Sequence, residues 1–356
     1  MLTTMNLKQF GGKITTALEE QYASSGQWHN GHFHNIELTG MNIRLKDVPG
    51  LLYKQFTSKD RRPGQAPELR PFDLAAFLKD TAEARFIWYG HSAVLLRMNG
   101  KNIFVDPMLG SDASPIAPFK TRRFSGGTLE IIDDLPFIDL VLLTHDHYDH
   151  LDMDSILKLK NKTARYFVAL GVKRHLVAWG IDPGMVTEFD WWDKTEFSGI
   201  EITFTPSRHF SGRGLRDRFK SLWGGWALKT ANESVYFSGD GGYGSHFREI
   251  GERLGPFNLA FMECGQYNEL WRQIHMMPEE SVLAAMEVHS RKSVPVHWGA
   301  FTLAMHAWDE PAKRFASEAD RLGLEAVYPQ LGGVYGISSF QADRWWEEIR
   351  DPKLDI

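Results

Sequence analysis

Between Leu143 and Asp152 the chain reads Leu-Thr-His-Asp-His-Tyr-Asp-His-Leu-Asp, which places four potential metal ligands, His145, His147, Asp149 and His150, within six residues. Three imidazoles crowded this tightly repel one another when charged and pack badly when neutral, and a divalent cation shared with the carboxylate resolves both problems. His145 and His147, two apart on an extended segment, point the same way and suit one metal. Asp149 and His150 suit a second as the chain turns. The pattern points to two metals side by side, the arrangement that activates water for hydrolysis.

The run supplies only half of two coordination shells, so the other ligands must come from elsewhere in the chain. Three residues follow short apolar stretches that read as strands: His209 in Ser207-Arg208-His209-Phe210, Asp240 in Ser238-Gly239-Asp240-Gly241-Gly242, and His297 in Val294-Pro295-Val296-His297. Taken singly, His209 reads as a loop residue, Asp240 as a turn former and His297 as a packed core histidine. Following the run in this order, each at a strand end where side chains are held rigidly, they read together as metal ligands. The glycines around Asp240 would let the backbone approach the metals.

The elements that must carry these residues are legible as short apolar runs. Strands are expected at Phe86–Tyr89, Ala93–Met98, Ile103–Val105, Leu140–Leu143, Ile200–Thr205, Ala227–Lys229, Val235–Phe237, Leu259–Met262 and Val294–Val296. Asn99-Gly100 is a two-residue hairpin signal. Helices are expected at Met153–Lys160, Ser245–Leu254, Pro278–Val288 and Ala312–Leu322, with Pro278, Glu279 and Glu280 suiting a first helical turn. Early hairpins followed by helices after later strands suggest an α/β fold of two sheets with helices outside, not a doubly wound sheet. Residues 1–80 are the least regular and read as an N-terminal extension packing on a hydrolase domain over 81–350. Its cluster His29, His32 and His34 reads as surface histidines.

With 356 residues, 43% hydrophobic and 24% charged, the chain is an ordinary globular mix. A net charge of −5 argues against a broad nucleic-acid surface. Lys120-Thr121-Arg122-Arg123 is the main basic cluster and reads as a solvated loop or a phosphate-binding edge. The single cysteine, Cys264, excludes an intramolecular disulfide and fits a reducing compartment. No apolar stretch is long enough to span a membrane, and Met1 to Glu20 lacks a secretory pattern. A cytoplasmic location follows, with peripheral membrane contact left open, although Leu2–Leu18 is only weakly amphipathic. Of the 12 tryptophans, Trp223, Trp226, Trp271, Trp298 and Trp308 lie near the ligand motifs. They suit either core packing or an aromatic substrate pocket.

The seven residues His145, His147, Asp149, His150, His209, Asp240 and His297 resemble the signature of the metallo-β-lactamase superfamily. Trp88-Tyr89-Gly90-His91-Ser92, Asp106-Pro107, Leu222-Trp223-Gly224-Gly225-Trp226, Gly239-Asp240-Gly241-Gly242-Tyr243, Gly255-Pro256-Phe257 and His297-Trp298-Gly299-Ala300-Phe301 resemble one branch of it. So does His275 followed by Pro278-Glu279-Glu280. That branch is the N-acyl-phosphatidylethanolamine-hydrolysing phospholipase D group, and the likeness runs from about Phe86 to Pro311, with a weaker echo at Phe33-His34-Asn35. The resemblance implies a four-layer αββα sandwich. It implies one metal on His145, His147 and His209, a second on Asp149, His150 and His297, and Asp240 as the bridge.

Such a site would hold a hydroxide between two metals roughly 3.5–4 Å apart and direct it at phosphorus. Asp149 would orient or accept the nucleophile's proton, and His275 would stabilise the transition state or protonate the leaving group. Tyr243, Trp223 and His275 are candidate substrate-binding residues, and His91 reads as a structural hydrogen-bonding residue. Zinc suits the histidine-rich set, with manganese or iron as alternatives. The expected substrate is a phospholipid. The alternative is a small soluble lactone or phosphodiester, and a metal-dependent nuclease is disfavoured for lack of a basic, aromatic-interleaved patch. A homo-oligomer is compatible with the composition.

Overall fold

A computed structural model describes residues 7–41, 44–79, 82–114, 120–214, 216–338 and 343–349. The expected boundary at 80/81, residues 2–6 of the N-terminal stretch and residue 350 lie outside the described residues. The N-terminal segment carries α1 (Thr16–Tyr22), a hairpin of β1 (Trp28–His29) and β2 (His32–Phe33), α2 (Val48–Thr57) and α3 (Leu74–Leu78). Two seven-stranded sheets follow. The first is built from β3 (Arg85–Trp88), β4 (Val94–Met98), β5 (Lys101–Val105), β6 (Ile138–Leu143), β7 (Thr163–Ala169) and β8 (Val186–Phe189), with α4 (Ile131–Asp134), α5 (Met153–Leu159) and α6 (Lys173–Ala178) between its later strands. The second contains β9 (Lys194–Phe197), β10 (Ile200–Thr205), β11 (Gly225–Lys229), β12 (Ser234–Phe237), β13 (Leu259–Glu263), β14 (Lys292–Val296) and β15 (Glu325–Ala326), interleaved with α7 (His246–Leu254), α8 (Pro278–Glu287) and α9 (Glu310–Leu322). A last strand, β16 (Val334–Gly336), returns to pair with β3 in the first sheet.

The two sheets repeat one plan. In the first, β16-β3-β4-β5 pair antiparallel and β5-β6-β7-β8 pair parallel. In the second, β9-β10-β11-β12 pair antiparallel and β12-β13-β14-β15 parallel. Antiparallel pairs need only turns, such as Asn99-Gly100, where both residues take positive φ. Parallel pairs need crossovers, and the helices supply them. Most of the inner strands are buried along nearly their whole length, as expected when one face meets the other sheet and the other meets helices. The result is the αββα sandwich.

Every strand that delivers a candidate ligand runs in one direction. β3, β5 and β6 share a direction in the first sheet, as do β10, β12, β13 and β14 in the second. Their C-terminal ends gather at one edge, where His91 and Trp298 form a bridge between the sheets, with His91 N–H donating to Trp298 O at 2.8 Å and His297 N–H donating to His91 O at 2.9 Å. Between the sheets, Phe86 of β3 meets Phe261 of β13 edge-on at 5.1 Å, and within the second sheet Phe261 stacks on its strand neighbour Phe237 at 4.7 Å.

The described residues of 7–79 pack on loops that follow elements of both sheets and are more regular than their composition suggests. Trp179 Nε1 donates to Lys8 O at 2.7 Å, Arg213 Nε donates to Gln9 O at 2.9 Å, and Trp308 N–H donates to Asp60 O at 2.9 Å. Crossing elements expected nowhere in the sequence also appear: β7, β8 and α6 complete the parallel half of the first sheet. Arg123, read with its neighbours as a solvated or phosphate-binding edge, is instead buried. It donates to Tyr89 O at 2.8 Å and Gly110 O at 3.3 Å and also to Met108 O, and lies over the Phe301 ring. Among the described residues no helix is long and apolar enough to cross a membrane.

Phe261 is the contact common to both sheets, so Phe261→Ala should cost about 3–5 kcal/mol in urea unfolding while leaving metal content unchanged. A cost below ~1 kcal/mol would place the sheet–sheet contact elsewhere.

Candidate metal centre

Two groups of ligand atoms meet at the sheet edge. In the first, His145 Nε2 lies 3.0 Å from His147 Nδ1, and His209 Nε2 lies 3.1 Å from the same His147 Nδ1. In the second, Asp149 Oδ2 lies 3.3 Å from His297 Nε2 and 3.8 Å from His150 Nε2. Asp240 Oδ2 stands between them, 3.0 Å from both His150 Nε2 and His297 Nε2, 3.9 Å from His145 Nε2 and 4.0 Å from His209 Nε2. All seven residues picked out in the sequence are therefore brought together. His29, His32 and His34 are not part of any metal-competent group among the described residues.

Neighbouring acceptors decide which ring nitrogens face the centre. His209 Nδ1 lies 2.9 Å from Ile274 O and His297 Nδ1 lies 3.3 Å from Gly265 O. A carbonyl only accepts, so the protons sit on Nδ1 and the Nε2 atoms turn inward. His150 Nδ1 donates to Asp106 Oδ2 at 2.8 Å. Thr144 Oγ1 donates to Asp106 Oδ2 at 2.7 Å, which leaves Thr144 Oγ1 to accept from His145 Nδ1 at 3.0 Å. Asp106 also accepts from Thr144 N–H at 2.9 Å, so one buried carboxylate orients two imidazoles.

The electrostatics divide the centre in two. Burial, then the other histidines around it, holds His145 well below its ordinary pKa; burial does the same for His209, and holds His147 down. Burial also acts against charge on His150 and His297, but Asp240 and Asp149 outweigh it, raising His150 well above its ordinary value and His297 to about 10. Asp149 and Asp240 are correspondingly held well below the carboxylate range, burial being overcome by the facing histidines. Two protonated imidazoles thus balance two buried carboxylates. A divalent cation bound there would take over that role, His150 and His297 then offering unprotonated Nε2 atoms.

The residues present fit divalent cations. Asp240 Oδ1 is buried without a hydrogen-bond partner, which is costly for a carboxylate oxygen unless a cation satisfies it. Three imidazole nitrogens of the first group converge within hydrogen-bonding distance while burial keeps their rings neutral, and nitrogen with carboxylate oxygen is a donor set that zinc and its neighbours accept.

Local backbone geometry holds the ligands in place. His297, His91 and Asp106 all take positive φ, at 68°, 54° and 41°, an unfavourable state for non-glycine residues that surrounding contacts must enforce. Gly239, at φ 62°, allows a close approach, because a Cβ there would fall 2.2 Å from Gly224 O. The glycine before Asp240 therefore serves backbone packing between strand ends rather than approach to a metal.

A cleft of about 270 Å³ opens on the centre, its lining made of the polar His147, Asp149, Asp240, Gln266, His275 and His297 together with the apolar Met41, Phe210, Trp271, Ile274 and Leu303. His275 lies within it. Two other expected substrate residues do not. Trp223 is wholly buried, its indole N–H donating to Asn35 Oδ1 at 3.0 Å and Ser207 O at 3.2 Å. Tyr243 lines a separate cleft with Arg208, Arg248 and Arg272. Of the tryptophans near the motifs, Trp226, Trp298 and Trp308 are core, and Trp271 faces the metal cleft.

Further residues complete the surroundings. His91, expected as a structural hydrogen-bonding residue, has its Nε2 2.8 Å from Asp149 Oδ2. Asp146, inside the ligand run, accepts from Gly212 N–H and Ser221 Oγ, both at 2.7 Å, and ties down the loop after His209. Asn35 Nδ2 donates to His209 O at 2.8 Å while its Oδ1 accepts from His209 N–H at 3.0 Å, so the N-terminal segment fixes a ligand's backbone. The Phe33-His34-Asn35 echo was the signal for that contact. Glu263 has no signal beyond its place at the end of an apolar strand.

A family model described as "Beta-lactamase superfamily domain" matches residues 101–298. The chain belongs to the metallo-β-lactamase superfamily and is a metal-dependent hydrolase. It is similar to an uncharacterized protein of Mycobacterium tuberculosis, at 33% identity over 93% of this chain and 89% of that protein. It is 36% identical to N-acyl-phosphatidylethanolamine-hydrolyzing phospholipase D 1 of Caenorhabditis elegans over 61% of this chain and 64% of that enzyme. Among solved structures, Igni18, a metallo hydrolase of Ignicoccus hospitalis, superposes with a TM-score of 0.55 at 21% identity, covering 73% of this chain and 99% of that one.

Because Asp106 orients both His145 and His150, Asp106→Asn should weaken zinc binding about 10–100-fold in chelator competition. Stripping the wild type with a strong chelator should lower its Tm, and zinc should restore it. An unchanged zinc affinity in the variant would remove Asp106 from the account.

Proposed function

We propose that the chain is a two-metal phosphodiesterase acting on N-acyl phospholipids in the manner named for its Caenorhabditis elegans relative. His145, His147 and His209 would hold one ion, Asp149, His150 and His297 the second, and Asp240 would bridge them. Divalent cations bound there supply Lewis acidity toward a phosphoryl oxygen and lower the pKa of water. Zinc is the first choice for this donor set, with manganese and iron as alternatives.

The chain's own residues then divide the work. Asp149 would orient the attacking water and accept its proton, and His91 and His297, 2.8 and 3.3 Å from its Oδ2, hold that carboxylate in position. His275, at the cleft wall, stands where it can meet the leaving-group oxygen. The observation that carries the lipid reading is the mixed lining of the cleft, where Met41, Phe210, Trp271, Ile274 and Leu303 add an apolar wall to the candidate metal ligands, His275 and Gln266. Such a wall suits the carbons flanking a phosphodiester, with the acyl chains outside a space of about 270 Å³. The same modest volume favours a second reading, a small soluble phosphodiester or lactone.

Zinc- and manganese-loaded protein assayed against bis-p-nitrophenyl phosphate, N-acyl phosphatidylethanolamine in mixed micelles and an acyl-homoserine lactone separates these readings. Turnover of both phosphodiesters, abolished in His147→Ala, is the expected result. Turnover of the lactone alone would overturn the phospholipase reading, and full activity of His147→Ala on every substrate would overturn the two-metal centre.

A further inference from the structure

Glu263 ends β13 at the same sheet edge as the ligands, yet lies outside both triads. Its side chain is wholly buried, 0% exposed. Oε1 lies 2.5 Å from His275 Nδ1, and Oε2 accepts from Met276 N–H at 3.2 Å. A carboxylate held on both oxygens cannot swing away, so the histidine it grips cannot turn over freely. The His275 ring is confined by its neighbours as well: it stacks on His297 at 5.2 Å and 13°, and meets His209 edge-on at 5.0 Å. With Nδ1 committed to Glu263, only Nε2 remains for a substrate in the cleft that His275 lines.

We propose that Glu263 is a positioning residue that fixes the tautomer and tilt of His275, presenting Nε2 to the oxygen of the leaving group. The role in turnover rests on the phosphodiesterase reading; the fixed orientation of the ring does not. In the step itself a water oxygen bonds to phosphorus, and its proton passes to Asp149. The bond from phosphorus to the leaving oxygen breaks, the electron pair stays on that oxygen, and the proton on His275 Nε2 joins it. The donor is the imidazolium form, which carries a proton taken from solvent on Nε2 beside the Nδ1 proton held against Glu263; the transfer leaves the neutral Nδ1-protonated tautomer, and solvent supplies the next Nε2 proton. A second carboxylate–imidazole pair thus stands beside the metal ligands, built like the Asp106–His150 pair but serving the leaving group.

This arrangement makes a prediction that simple anchoring of the loop through Met276 does not. An alkoxide is a poor leaving group and needs a proton, whereas p-nitrophenolate departs without one. Glu263→Gln keeps the side-chain volume and can still accept from Met276 N–H. In the zinc-loaded variant, turnover of a diester with an alkyl leaving group should fall about 10–100-fold. Turnover of bis-p-nitrophenyl phosphate should fall less than that of the alkyl diester, and His275→Ala should lower both, the alkyl diester more. Independently of any substrate, nitrogen-15 NMR of histidine-labelled, zinc-loaded wild type should show His275 in one tautomer with Nδ1 protonated, and Glu263→Gln should average or invert it. Both proteins should bind the same number of zinc ions. Equal losses on both leaving groups, an averaged His275 in the wild type, or a zinc ion lost with Glu263 would each overturn the proposal. A fixed tautomer that depends on Glu263, in a protein that cleaves no phosphodiester, would uphold the positioning role and overturn the substrate reading.

Discussion

Five imidazoles and two carboxylates are packed into one nearly dry edge of the sandwich, and their mutual electrostatics constrain everything around them. His145, His150, His209, Asp240 and His297 are each at most 2% exposed. Burying one unpaired charge is expensive, and burying seven titratable groups in contact is tolerable only if charge is balanced atom by atom. Without a cation the balance is struck by protons on His150 and His297 against Asp149 and Asp240, and it leaves Asp240 Oδ1 unsatisfied. That unsatisfied oxygen among converging His and Asp side chains is what fits the centre to a cation.

The fold serves this constraint through strand direction. Seven strands from two sheets point their C-terminal ends at one edge, where backbone ends and turn residues rather than flexible loops carry the ligands. Positive φ at His91, Asp106 and His297 shows the backbone bent into place around the centre. The N-terminal segment takes part: Asn35 ties His209, and Met41 reaches the cleft wall. A cut between this segment and the sheets would therefore reach the site itself.

How much of this was legible in the sequence follows from the physics of each residue. The run from His145 to His150 is local, so its spacing alone announces a metal. His209, Asp240 and His297 were legible because each sits after an apolar run, and strand ends converge in any layered fold. The helices Pro278–Glu287 and Glu310–Leu322 and the hairpin at Asn99-Gly100 carry their own capping or turn chemistry and were found within a few residues. Asp106 and His91 were marked by their motifs without their partners, whereas Asp146 and Glu263 carried no signal of their own; all four take their roles from partners 12 to 75 residues away in sequence. Trp223 and Tyr243 were misplaced for a related reason: residue type says that an aromatic side chain will be buried or half-buried, but not which cleft it faces. The strand β7 and helix α6 escaped because charged residues, Arg165, Lys173 and Arg174, interrupt their apolar pattern while their backbones complete the parallel sheet.

The central claim is that two cations are held by these seven residues, and anomalous X-ray diffraction from zinc-loaded crystals tests it most directly. The account requires two anomalous peaks, one among His145, His147 and His209 and one among Asp149, His150 and His297, both within coordinating distance of Asp240. A single peak at saturating zinc, or peaks away from these side chains, would contradict it.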